Sequence, residues 1–171
     1  MTPIYMPCLR GLGGYFSSSG VDVLAAKASN IPGVATEVFN YRPEHVVLER
    51  MLAHSSSNLG VMGFSFGGND TTFIAEQLAE RNLRLKLLIC EDATIFGRMR
   101  PILGNVDRAI CFHNNDLING PVGHAQLTAG TGFDPTRQQL ITIQISMFHL
   151  HVDQAAEIMQ YALFEIAKAA A

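Results

Sequence analysis

The segment Gly63-Phe64-Ser65-Phe66-Gly67 holds a serine with a glycine two residues to either side, the spacing of a nucleophile carried on a tight turn between a strand and a helix. The apolar run Leu59 to Met62 reads as the strand, and a helical run from Thr71 to Leu83 follows. A side chain at either glycine would collide with the neighbouring strand or the helix start, so the glycines leave the Ser65 hydroxyl clear of the backbone. A neutral hydroxyl is a poor nucleophile and needs a base within hydrogen-bond reach and a carboxylate behind that base. His149 and His151, late in the chain, are the candidate bases. His149 is preferred because Ser146-Met147-Phe148-His149 leaves the last expected strand first, whereas His151-Val152-Asp153 leads into the final helix, with Asp153 as its N-cap. For the carboxylate, Asp116 after the fifth expected strand is preferred and Asp92 after the fourth is the alternative. A turn carboxylate accepting backbone N–H groups is the ordinary alternative for each.

Charge developing on a carbonyl oxygen needs donors aimed at it. Phe66 N–H, at the start of the helix, is the first candidate. The second lies in Arg10-Gly11-Leu12-Gly13-Gly14 just past the first strand, where the glycines permit a sharp turn that brings Leu12 N–H towards the same oxygen. A phosphate-cradling loop is disfavoured: Gly11, Gly13 and Gly14 do not complete G-x-G-x-x-G, and Gly63 to Gly68 lacks a lysine. His113, His124, His149 and His151 show no H-E-x-x-H or paired Cys/His spacing, so no metal and no other cofactor is expected.

These residues must be carried by a frame, and the apolar pattern alternates short strand-like runs with longer helical ones, the mark of a parallel sheet wrapped by helices. Strands are expected at residues 4–8, 34–39, 59–64, 85–90, 106–112 and 140–145. Helices are expected from Gly20 to Ala28 with Ser19 as cap, from Pro43 through Leu52, after Ser65, and from Asp153 to Ala169. The Gly/Asn/Pro/Thr-rich stretch from Asn114 to Gln138 is too long for an ordinary connection and reads as a loop at the rim of a site. In such sheets the ligand crevice lies beyond the carboxyl ends of the strands. That is where Arg10 to Gly14, Asn40, Tyr41, Ser65, Phe66, Glu91, Asp92, His113 to Asp116 and Ser146 to His151 fall.

The 171 residues suffice for a core without disulfides or metals, and 48% hydrophobic against 16% charged residues suits a thickly covered sheet. A single domain over 1–171 is expected. A net charge of -3 without a basic cluster argues against nucleic acid as a partner. Cys8, Cys90 and Cys111 each sit in an apolar run and read as buried strand thiols, not a disulfide framework. The first residues lack a signal-peptide pattern, and no apolar run is long enough to span a membrane. A cytoplasmic, reducing setting is expected, with signal-independent release compatible with the sequence.

Taken together, Ile4 to Gly14 ending in GLGG, Tyr15 to Leu24, and Gly63-Phe64-Ser65-Phe66-Gly67-Gly68-Asn69 resemble a compact α/β-hydrolase of the lipase, esterase and thioesterase kind. The resemblance implies a three-layer α/β/α fold with a mostly parallel sheet of about six strands, without a lid. It also implies hydrolysis of an ester or thioester through an acyl-enzyme, on a small-molecule or acyl-ester substrate. Two positions depart from the family: Arg10 stands where many relatives carry histidine, and Phe64 where histidine or tyrosine usually precedes the serine. A catalytically inactive hydrolase-like domain, serving as a binding or assembly module, is the alternative function, and a homo-oligomer is compatible with either.

Overall fold

A computed structural model of the chain describes residues 3–40, 42–114 and 125–171. The first strand β1 (Ile4–Leu9) is followed by α1 (Ser19–Ala28), β2 (Val34–Phe39), α2 (Glu44–Ala53), β3 (Asn58–Phe64), α3 (Phe66–Ala79), β4 (Leu87–Glu91), β5 (Arg108–Asn114), β6 (Gln139–Ile145) and α4 (Ala156–Ala170). The strands form one six-stranded sheet in the order β2-β1-β3-β4-β5-β6, and every pairing is parallel. Because each strand is sandwiched, β1 and β4 are buried at every position, which is why they read as unbroken apolar runs and not as alternating ones.

Helices cover both faces. Val21, Leu24 and Ala28 of α1 and Ile158, Ala162 and Ile166 of α4 pack on one side against Met6, Met62 and Ile89. Val47 and Met51 of α2 and Ile74 and Leu78 of α3 pack on the other against Leu9, Val61 and Leu88. Cys8, Cys90 and Cys111 are buried free thiols within these layers.

Several local expectations are corrected. The helical run expected over Thr71 to Leu83 extends back to Phe66, directly after Ser65, and ends at Ala79. Gly67 and Gly68 carry no apolar signal, yet they are helical because the helix start lies against the sheet: a Cβ on Gly67 would stand 2.4 Å from the Leu9 carbonyl oxygen. The last helix begins at Ala156 with no side-chain cap, after a 3-10 turn spanning His149–Gln154. Asp153 caps a different helix, its Oδ2 accepting from Gly20 N–H at the start of α1 (2.8 Å), while no side-chain cap comes from the serine that precedes that helix. Val106 falls outside β5 and forms only an isolated bridge with Leu85. Among the described residues between β5 and β6 there is no helix. No helix among the described residues is long and apolar enough to cross a membrane.

Candidate active site

Ser65 joins β3 to α3 with φ 57 and ψ -123, a backbone region costly for a residue with a side chain. The turn is fixed from both sides. Ser65 N–H donates to the Glu91 carbonyl on β4 (2.9 Å), and a Cβ on Gly63 would lie 2.1 Å from the Gly67 carbonyl oxygen. Both glycines of the motif are therefore sterically required by their contacts. Forcing that conformation aims the hydroxyl out of the sheet end, towards the segment that follows β6.

His149 opens the 3-10 turn after β6, and its Nε2 lies 3.0 Å from Ser65 Oγ. The other ring nitrogen, Nδ1, lies 2.7 Å from Oδ2 of Asp92. Phe64 stacks on the imidazole with centroids 5.0 Å apart and planes 27° from parallel. Asp92 is wholly buried and sits just past β4 with φ 45. Its Oδ1 accepts from Asn114 N–H at the end of β5 (2.9 Å), and its own N–H donates to the Phe112 carbonyl (2.7 Å). One carboxylate oxygen is thus tied to backbone and the other faces the imidazole, an arrangement that fixes the ring's tautomer and favours its protonated form when a proton arrives.

Of the expected site residues, Ser65, His149 and Asp92 come together. Asp116 lies outside the described residues, as does His124. His151 is exposed and meets Phe148 edge-on, with ring centroids 5.5 Å apart. His113 is buried beside Gln126 (3.2 Å). Among the described residues no group of three His, Cys, Asp or Glu side chains is arranged to hold a metal ion.

The glycine loop after β1 reaches the serine. A Cβ on Gly11 would stand 2.8 Å from Ser65 Cβ, so only glycine allows this approach. Gly11 N–H donates to Ser18 Oγ (3.0 Å), and Ser17 Oγ donates to the Leu12 carbonyl. Arg10 anchors the loop's entry: its guanidinium grips both oxygens of Asp22 on α1, Nε at 2.9 Å, and reaches Asn40 Oδ1 at 2.6 Å beyond β2. Leu12, Phe66, Phe96, Phe148 and Leu150 surround Ser65 and His149 in a cleft of about 420 Å³. Leu12 is 59% and Phe96 65% exposed, so the cleft offers apolar walls to whatever enters.

Two supporting groups hold roles that their sequence positions did not indicate. Asn114 joins the Asp92 carboxylate to the His149 segment, since its side-chain amide also donates to the Met147 carbonyl. Asp153 ties the turn bearing His149 to α1 through Gly20; burial pushes its carboxyl up to about 6 despite the backbone donors that oppose the shift. Glu91, buried at the end of β4, is held well above the usual carboxylate range, first by burial and then by the charges of Asp153 and Asp92.

No family model and no curated protein matches the sequence. Solved structures do. A thioesterase from the prodiginine biosynthetic pathway in Streptomyces coelicolor superposes with a TM-score of 0.63 at 10% identity, covering 96% of this chain and 86% of that one. Human thioesterase 2 gives 0.60 at 13% identity over 98% of this chain and 95% of its own. A serine hydrolase without lid from Xanthomonas campestris gives 0.61 at 17% identity over 98% and 82%. The chain has the α/β-hydrolase fold. Within that fold, Ser65 stands at the strand-to-helix turn after β3 and His149 beyond the last strand, the places from which an α/β-hydrolase sheet presents a nucleophile and a base.

Proposed function

We propose that the chain is a serine hydrolase that cleaves a carboxylic ester or thioester through an acyl-enzyme. The observation that carries this reading is the continuous relay from Ser65 Oγ through the His149 imidazole to Asp92, at 3.0 Å and 2.7 Å, opening on an apolar cleft. In the proposed reaction Ser65 Oγ attacks the carbonyl carbon while its proton passes to His149 Nε2. The tetrahedral oxyanion is held by Phe66 N–H at the start of α3 and by Leu12 N–H, each donor worth roughly 3 kcal/mol in such sites. His149 then returns the proton to the leaving oxygen or sulfur as the bond to it breaks. Water, deprotonated by the same imidazole, releases the acid from Ser65.

Asp92 is assigned as the carboxylate in place of Asp116, because among the described residues it is Asp92 that is hydrogen-bonded to His149. The thioesterases among the structural neighbours support an acyl thioester or ester as substrate. The buried free thiols fit a reducing, cytoplasmic setting. A fluorophosphonate probe tests the reading directly: the wild-type protein is expected to be labelled at Ser65 and the Ser65→Ala protein not at all. An unlabelled, folded wild-type protein would return the chain to the class of hydrolase-like binding modules.

A further inference from the structure

The connection after β4 supplies one wall of the cleft, and a side chain of the nucleophile's own helix holds it. Thr94 and Phe96 line the cleft beside Ser65 and His149; Thr94 is wholly buried, whereas Phe96 is 65% exposed. Asn69 sits one helical turn after the nucleophile, where its N–H donates to the Ser65 carbonyl (3.3 Å). The Asn69 side chain is buried against that connection. Its Nδ2 donates to the Thr94 carbonyl (3.0 Å), and its Oδ1 accepts from Thr94 N–H (3.2 Å).

The amide thereby meets both backbone polar groups of Thr94, a use of its one acceptor and one donor side that few other residues could reproduce. The turn bearing Phe96 closes on the same spot. Gly97 N–H donates to the Thr94 carbonyl (3.2 Å), Phe96 N–H donates to Thr94 Oγ1 (3.2 Å), and a Cβ on Gly97 would stand 2.3 Å from Asn69 Cγ. Further along α3, Thr72 Oγ1 accepts from Arg100 N–H (3.0 Å), tying the far end of the segment to the same helix. Without the Asn69 amide, the buried N–H and carbonyl of Thr94 lose a partner, which disfavours this conformation of the segment. A ring as exposed as Phe96 has little packing of its own to hold it, so the clamp on Thr94 decides where the ring stands.

We propose that Asn69 is a positioning residue that fixes the Phe96 wall relative to Ser65, and that through this wall the site selects esters or thioesters with a medium-length apolar chain over short ones. This rests on the serine-hydrolase reading above and adds to it a substrate class and the residue that sets it. The clamp and the nucleophile share the first turn of α3, so the wall keeps its distance from the serine. A chain whose carbonyl lies at Ser65 is buried against Phe96 only while the ring is held there, and that burial is binding energy a short ester lacks.

The test compares matched substrates: p-nitrophenyl octanoate against the acetate on the acyl side, and S-octyl against S-ethyl thioacetate on the leaving-group side. The wild-type protein is expected to favour the longer member of at least one pair by about tenfold in kcat/KM, the worth of roughly two buried methylenes. Asn69→Ala is expected to bring that ratio close to one by raising KM for the longer substrate. Phe96→Ala gives the same loss, and combining the two lowers the ratio no further, because the amide acts through the ring. Gly97→Ala presses a methyl against the amide from the other side and lowers the ratio as well, which decides the matter should Asn69→Ala not fold. Equal rates within both wild-type pairs, or a ratio unchanged in the folded variants, would overturn the proposal. So would an equal fall of kcat on all four substrates in Asn69→Ala, which would assign the residue to the helix start that carries Phe66 N–H. NMR titration of 2-decanone and acetone into the Ser65→Ala protein reads the wall without turnover. Tighter binding of 2-decanone that is lost on adding Asn69→Ala supports the wall even if no ester is cleaved, and equal binding of the two ketones counts against it.

Discussion

Ser65 carries its strained backbone only because Gly63 and Gly67 remove the two clashes that would relax it. Ser65→Ala is expected to abolish hydrolysis of short p-nitrophenyl esters while leaving the thermal midpoint nearly unchanged, since losing a hydroxyl at this turn opens no core cavity. Asp92→Asn is expected to lower kcat by about a thousandfold or more with little change in KM, because an amide at 2.7 Å from Nδ1 no longer stabilises an imidazolium. Asp116→Asn in the same assay is expected to cost far less. The reverse ranking would move the acid to Asp116 and leave Asp92 as a buried clamp on Asn114.

The elements hold the site through contacts made far along the chain. The turn bearing His149 is pinned to α1, where a Cβ on Gly20 would stand 2.0 Å from the Asp153 carbonyl oxygen. Gly20→Ala is therefore expected to push His149 away from Ser65, with a loss of kcat larger than the fall in stability predicts; a structure of the variant should show the Nε2 to Oγ distance lengthened from 3.0 Å. At the opposite end of the strands from the site, Arg108 at the start of β5 holds the buried Glu165 of α4 through paired hydrogen bonds of 2.7 and 2.6 Å. Arg108→Met leaves that carboxylate buried without its partner and is expected to cost about 3 kcal/mol in denaturant unfolding, most of it recovered when Glu165→Leu is added.

For the whole molecule, three carboxyls are harder to ionise folded than unfolded: Asp70 at about 7, Asp153 at about 6, and Glu91 well above its ordinary range. Between the ordinary carboxylate range and these raised values the folded chain holds more protons than the unfolded one. Stability contributed by these groups is thus present at low pH and lost as pH rises through the folded values. The thermal midpoint is expected to rise on going from pH 8 towards about pH 6. Glu91 is wholly buried with Oε2 unpaired, so Glu91→Gln is expected to raise the midpoint at pH 8 by about 3 °C. A calorimetric profile that is flat over that range, or a lower midpoint for Glu91→Gln, would show that these carboxyls find partners in solution.

The sequence by itself determined the six parallel strands within a few residues, the serine on its glycine-flanked turn, and the order in which base and nucleophile appear. Those features are written in local chemistry: buried strands must be apolar throughout, and a strained turn must have glycine where a Cβ would strike backbone. Which carboxylate faces His149 was not local. Asp92 and Asp116 are equivalent as turn acids, and only the packing of β4 beside β5, with Asn114 N–H holding one Asp92 oxygen, aimed Asp92 at the imidazole. Asp153 reads locally as the cap of the helix that follows it, yet the packing of α1 under the last turn gave its oxygen to Gly20 instead. The cavity lined by Arg42, Arg98 and Arg100 is the furthest from legible, because Arg42 comes from the connection before α2 and Arg98 and Arg100 from the one after β4, and they share a wall only when α2 and α3 lie side by side on the sheet.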